Sequence, residues 1–317
     1  MAASHTLHDV LRSKPASAGI LAIVVTLALV VVLKHFSRGV GVREFVASVV
    51  HRGIGLGRTL LDARSFSQKD RGDFTDVVFL HHSVGANLIR QGSLRERLTA
   101  SGFRFWDQDY NQTGLTGPDG KPRGYAYWIP GDNTNPDGYA GLFAQRVYGL
   151  PWNALSGLLQ HEVIVFKSCY PVSDIRTDGM LEEYRSYYRS VRSVMDRHPD
   201  HVFIVVTPPP LNPASTSAPA AARARSFADW LGSADFLEGH PNVFTFDLFG
   251  NLEDKNPASP EAHMLRRDYR DGDDSHPNAA ANRAIAPLLA DLIASSARGY
   301  AKSWTAASAL APQESGR

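Results

Sequence analysis

A three-layer α/β fold, built on a doubly wound, five-stranded parallel sheet with helices on both faces, is predicted by three observations. Five short runs rich in β-branched and aromatic residues recur after residue 73, helical stretches separate most of them, and the run Val202-Phe203-Ile204-Val205-Val206 is wholly apolar. A strand covered on both faces must read that way. The strands fall at Asp76–Leu80, Phe103–Trp106, Val163–Lys167, Val202–Thr207 and Val243–Asp247. Apolar residues at helical spacing place helices over Leu88–Ala100, Met180–Arg197, Ala220–Leu231 and Ala279–Ala297. In open sheets of this kind the first and third strands commonly lie side by side, and ligands bind where the connections diverge at their carboxyl ends. His81-His82-Ser83-Val84-Gly85 follows the first strand and Lys167-Ser168-Cys169-Tyr170-Pro171 follows the third, so these two segments are expected to face each other across the crevice.

The segment ahead of the sheet has a different composition. Ala18 to Leu33 carries no charge and is bracketed by Lys14 and Lys34. With the uncharged residues 15–17 it approaches the roughly 20 residues that cross about 30 Å of hydrocarbon, and it is read as a transmembrane helix. A cleaved signal peptide would have a shorter apolar core and a small-residue cleavage site, which His35-Phe36-Ser37-Arg38 does not offer. The chain thus divides into an N-terminal tail (1–17), a single-pass anchor (18–33), a juxtamembrane connector (34–72) with a helix near Arg43 to Leu61, a folded domain (73–297) and a disordered C-terminal tail (298–317). Arg12 and Lys14 precede the span while Lys34, Arg38, Arg43 and Arg52 follow it, so the positive-inside rule leans toward a cytoplasmic domain, whereas the habit of single N-terminal anchors points outward, and the outward placement is the one expected here. A net charge of +1 without a basic cluster gives no footprint for nucleic acid, and a single cysteine, Cys169, excludes an internal disulfide.

Chemistry enters with Asp273-Asp274-Ser275-His276-Pro277-Asn278, which sits between the fifth strand and the last helix. A serine hydroxyl is a poor nucleophile until a base takes its proton and an acid orients that base. The fold brings His276 to the same end of the sheet as Ser83. A serine after the first strand and an Asp-x-x-His pair before the last helix resemble the SGNH, or GDSL-like, hydrolase family over roughly residues 73–297. That resemblance implies an esterase or O-acyltransferase with Ser83 as nucleophile, His276 as base and Asp273, three residues before the histidine, as the orienting acid. It implies no cofactor. The family's glycine after the second strand corresponds to Gly114 in Asp109-Tyr110-Asn111-Gln112-Thr113-Gly114, whose amide would join that of Ser83 in stabilising the oxyanion, with Asn111 beside it as a substrate-binding candidate. Two departures stand out. His81-His82-Ser83 replaces Gly-Asp-Ser, and Lys167-Ser168-Cys169-Tyr170 replaces the family's Gly-x-Asn-Asp, leaving Ser168 or Cys169 in place of an asparagine donor. A non-catalytic, membrane-tethered glycan-binding domain with a degenerate site is the alternative.

Other groups have simpler readings. His81 and His82 are expected to pack at a strand end rather than bind metal, Cys169 to be a small buried residue, and Lys167 to be a strand-end charge or, as the alternative, an oxyanion donor. The long segment between the second and third strands carries Tyr125, Tyr127, Trp128, Asp132, Asn133, Asn135, Asp137 and Tyr139. It fits either a sugar-stacking surface for an acylated glycan or a covering loop that packs its own rings. Asn133 to Gly138 is not a calcium loop, since Ala144 stands where a bidentate glutamate would close it. Thr207-Pro208-Pro209-Pro210 cannot continue a strand and is expected to form a rigid rim of the crevice.

Overall fold

Alternate residues of the central strands enter two separate cores, one on each face of the sheet. On β1 (Asp76–Leu80), Val78 and Leu80 join one core while Val77 and Phe79 join the other. The same alternation runs through β4 (Val163–Lys167) and β5 (Val202–Val206). The computed structural model describes residues 72–149 and 151–310. The predicted N-terminal tail, the anchor, the connector up to residue 71 and residues 311–317 lie outside the described residues. Among the described residues no helix is long and apolar enough to cross a membrane.

The sheet has six strands in the order β3-β2-β1-β4-β5-β6, where β2 is Arg104–Gln108, β3 is Leu115–Thr116 and β6 is Val243–Phe246. Five strands are parallel, and the first and third predicted strands, β1 and β4, are neighbours in register Val78↔Ile164. The sixth, β3, is a two-residue antiparallel edge on β2. It carries no periodicity that a sequence could reveal.

Helix α1 (Ser83–Gly92) and α2 (Leu94–Ala100) replace the single predicted helix over Leu88–Ala100. The break falls at Ser93, which adopts a left-handed conformation with φ of 58°. Gly92 lies against the last helix, where an added Cβ would stand 2.4 Å from Ala286 Cβ, so the chain must turn where the two helices meet. The segment after β3 holds α3 (Pro136–Phe143) and α4 (Ala154–Leu158). On that same face lie α5 (Asp178–Met195) and α6 (Ala218–Leu231), which Thr177 and Ser217 cap through their side-chain oxygens, satisfying amides that have no intrahelical acceptor. The short α7 (Ala234–Leu237) precedes β6, and α8 (Leu248–Leu252) follows it, capped by Asp247.

The last helix, α9, runs from Ala279 to Leu310 and covers the second face with α1 and α2. Residues 298–310 are therefore helical where a disordered tail was predicted. Tyr300 and Trp304, one turn apart, pack edge-on against Phe74 at 5.1 and 6.2 Å between ring centres, and this contact carries the helix past residue 297.

Candidate active site

Ser83 is the first residue of α1 and follows β1 after a two-residue link. Position there is set tightly: a Cβ on Gly85 would stand 2.3 Å from the Cβ of His81, so only glycine lets the helix begin this close to the strand end. The first turn leaves amide groups without intrahelical acceptors, and the positive end of the helix dipole adds to them. Negative charge developing beside Ser83 would meet both.

His276 approaches from the loop before α9. Its Nε2 lies 2.8 Å from the Ser83 Oγ, although the two residues are 193 apart in sequence. Its Nδ1 lies 2.8 Å from Oδ1 of Asp274, and the same oxygen accepts the His276 backbone amide at 3.0 Å. These bonds, the backbone one first, hold the Asp274 carboxyl below its usual range. Asp273, assigned to this role from sequence, is exposed and has no hydrogen bond or ion pair among the described residues. The correction has a local cause: an aspartate readily closes a turn onto the amide two residues ahead, and that turn delivers Asp274 to the ring. Tyr170 packs edge-on against the imidazole at 4.9 Å.

Asn212, which follows the proline run after β5, fixes the loop. Its side-chain amide donates to the carbonyls of Gly272 and Asp274, and its backbone amide donates to Ser275 Oγ. No motif marks it in the sequence. The prolines before it, expected on a rim, are buried, and the Pro209 carbonyl accepts a bond from Ser173 Oγ.

The sequence-derived oxyanion candidates fare differently. Gly114 sits at φ of 76°, a conformation that favours glycine, and a Cβ there would meet the Tyr125 carbonyl at 2.6 Å. Its amide donates to the Tyr110 carbonyl at 2.8 Å, so it closes a turn and is not free for an oxyanion. Asn111 pairs with both backbone groups of Ile129 through its side chain, and its amide bonds Asp132. It is a loop clasp. Ser168 is fully buried with its hydroxyl on Tyr188. Cys169 is half-buried, with Sγ 3.4 Å from Nδ1 of His82, the residue before Ser83.

Around Ser83, His82 is buried between elements. Its ring stacks on Tyr110 at 3.8 Å, its Nδ1 lies 3.3 Å from Thr134 Oγ1, and its Nε2 lies 3.6 Å from Asp132. Burial pushes its pKa down, against the pull of Asp132. Burial raises the Tyr110 phenol above its ordinary range, and the neighbouring Ser83 partly offsets this. His81 is held down to about 4 by burial, with Nδ1 on the His82 carbonyl and Nε2 facing Asp107, which also pairs with Arg95. Lys167, expected as a strand-end charge, is fully buried beneath the site with Nζ on the Ser168 carbonyl, and desolvation lowers it to about 8.

The aromatic segment resolves into a covering loop. Tyr125, Tyr127 and Tyr139 are buried, with the Tyr127 hydroxyl on His161 and the Tyr139 hydroxyl on the Lys167 carbonyl. These rings are spent on the core and offer no sugar-stacking face.

No family model and no curated protein matches the chain. Two solved structures are similar to it. One, from Bacteroides fragilis and provisionally described as an acylhydrolase, shares 12% identity and a TM-score of 0.42 over 71% of this chain and 88% of its own. Another, from Streptococcus pneumonia and provisionally described as a platelet activating factor, shares 12% identity and a TM-score of 0.42 over 79% of this chain and 99% of its own. Likeness of that degree leaves the chemistry to be argued from the side chains.

Proposed function

We propose that the chain is a serine hydrolase of the SGNH-like type that cleaves or transfers an acyl ester, with Ser83 as nucleophile, His276 as base and Asp274 as the orienting acid. The observation that carries the reading is the unbroken line from Ser83 Oγ through both nitrogens of His276 to Asp274, with two contacts of 2.8 Å. Within such a line a carboxylate accepts the Nδ1 proton and leaves Nε2 as a lone pair aimed at the hydroxyl.

The steps follow from that geometry. Ser83 Oγ bonds to the ester carbonyl carbon as its proton passes to His276 Nε2, and the imidazolium so formed is stabilised by Asp274. The carbonyl electron pair moves onto oxygen, which faces the amides of the first turn of α1. Preorganised donors of this kind are worth about 2.7 to 4 kcal/mol each in the transition state. Collapse expels the alcohol, which takes the proton back from His276. Water or a second hydroxyl, deprotonated by the same nitrogen, then releases the acyl group. No step calls for a cofactor.

The uncharged stretch Ala18 to Leu33 supports tethering of this domain to a membrane. Burial of Tyr125, Tyr127 and Tyr139 withdraws the support those three rings gave to a glycan acceptor, Trp128 alone of the segment's aromatics staying part-exposed, so the reading rests on the ester bond. Hydrolysis of p-nitrophenyl acetate by the wild type, abolished in Ser83→Ala and in His276→Ala variants that keep the wild-type circular dichroism, is the expected result. Equal turnover in Ser83→Ala would remove the serine from the mechanism.

A further inference from the structure

The peptide that joins His82 to Ser83 is gripped at its carbonyl from two sides. The Ala86 amide reaches the His82 oxygen at 3.0 Å as the opening bond of α1, and the His81 ring brings Nδ1 to the same oxygen at 2.9 Å. A carbonyl oxygen only accepts, so the second contact places a proton on Nδ1. Asp109 Oδ1, at 3.9 Å from that nitrogen, is too far away to be its hydrogen-bond partner.

The ring is held where it is. His81 is 1% exposed, and its Cβ is the atom that a side chain on Gly85 would strike. On the far side of the ring Nε2 faces Asp107 Oδ2 at 3.2 Å, a longer contact than the one at Nδ1. That carboxylate is already paired with Arg95, whose guanidinium also donates to the carbonyls of Phe105 and Gly117. The end of β1, β2 and α2 thus converge on one imidazole, and the imidazole ends on one carbonyl.

That carbonyl matters for what lies across the same peptide. The planar amide is conjugated, so electron density drawn onto the His82 oxygen leaves more positive charge on the Ser83 N–H. Ser83 is the first residue of α1, and its N–H has no acceptor within the helix. It is one of the first-turn donors that the developing oxyanion would face.

We infer that His81 is a positioning residue of the ester chemistry, whose Nδ1–H polarises the His82–Ser83 peptide and strengthens the Ser83 amide as an oxyanion donor. This rests on Ser83 being the nucleophile. A histidine that only filled the strand end would need bulk alone, and one that only anchored Asp107 would need Nε2 alone. Linked hydrogen bonds strengthen one another by roughly 10 to 30%, and loss of a whole oxyanion donor slows turnover by about 10² to 10³, so the His81 contact is worth about two- to eightfold in kcat.

The test uses the full-length chain in detergent and two substitutions that each keep one of the ring's nitrogens. Asparagine carries its amide nitrogen at the place of Nδ1, whereas glutamine extends its own toward that of Nε2. His82-Ser83 is the sole His-Ser pair in the sequence, so isotope labels on histidine carbonyl carbons and serine nitrogens single out the Ser83 amide by NMR. The ring signals of His81, assigned by their loss in His81→Asn, are expected to show a protonated Nδ1 in the wild type. The Ser83 amide proton should keep its shift in His81→Asn and move upfield in His81→Gln. On p-nitrophenyl acetate, His81→Asn should rescue kcat to near the wild-type value while His81→Gln falls about two- to eightfold, with KM unchanged in both. A fluorophosphonate adduct on Ser83 in the wild type checks the nucleophile separately, and its absence would remove the catalytic role together with the reading on which it rests. With that adduct present, a bare Nδ1 in the wild type, or a Ser83 amide shift and kcat that are the same in the asparagine and glutamine variants, overturns the inference alone.

Discussion

Asp274 reaches the His276 ring because it lies two residues before it, the spacing at which an aspartate side chain closes a turn on the backbone amide ahead. Ser83 and His276, the proposed nucleophile and base, were legible as a pair in the sequence from their places at a strand end and before the last helix, and they lie within 2.8 Å of each other. The acid was not, because two adjacent carboxylates differ only in which turn the backbone makes. Replacing the orienting acid by asparagine in a triad lowers turnover by about 10⁴ through the wrong tautomer. Asp274→Asn is therefore expected to lose most ester turnover while Asp273→Asn stays within a few-fold of the wild type, as steady-state kinetics on p-nitrophenyl acetate can read.

Lys167 shows a different limit on sequence reading, since nothing in Val163–Lys167 marks the end of a strand as buried. Desolvation lowers its pKa from 10.5 to about 8, so between those values the unfolded chain binds a proton that the folded chain does not. Stability must then rise with pH across that window, and fall as pH drops from 10.5 to 8. A Lys167→Met variant removes the buried charge and should lack this rise, with a higher stability at pH 7. Urea midpoints at pH 7.5 and 9.5 for the two proteins decide it. An identical pH slope would show that Lys167 keeps an ordinary proton affinity in the fold.

At the level of elements, the five parallel strands were read correctly in position because each is a compact β-branched or aromatic run between helical periods, and β4 matched at both ends. What escaped was set by tertiary contact. The α1–α2 break depends on the approach of Ala286 to Gly92, and the extension of α9 depends on Phe74, some two hundred residues away in sequence. Asn212 belongs to the same class, for its role exists only where two distant loops meet. Its side-chain amide fixes the His276 loop through two carbonyls. Asn212→Ala leaves those acceptors unpaired and should cost about 1 to 3 kcal/mol in denaturant unfolding. Because Asn212 acts only through the loop that holds the proposed base His276, kcat should fall while KM stays near its wild-type value. Unchanged kcat in a destabilised variant would confine Asn212 to a structural role.

For the whole molecule, the sheet order places the end of β1, where α1 starts, beside the end of β4, and the loop before α9 closes over that junction from the far end of the chain. The doubly wound topology thus explains why two residues 193 apart can share a proton. The Ser83–His276–Asp274 line is assembled by the fold as a unit, from a strand end and a loop at opposite ends of the chain. Reactivity of the serine is therefore the central claim. A fluorophosphonate probe offers a tetrahedral phosphorus that only an activated hydroxyl attacks, and mass spectrometry of the digested adduct locates the bond. The account predicts one covalent adduct on Ser83, formed by the wild type and not by Ser83→Ala or His276→Ala; a folded wild-type chain that takes up no probe, or an adduct on another residue that persists in Ser83→Ala, would contradict it.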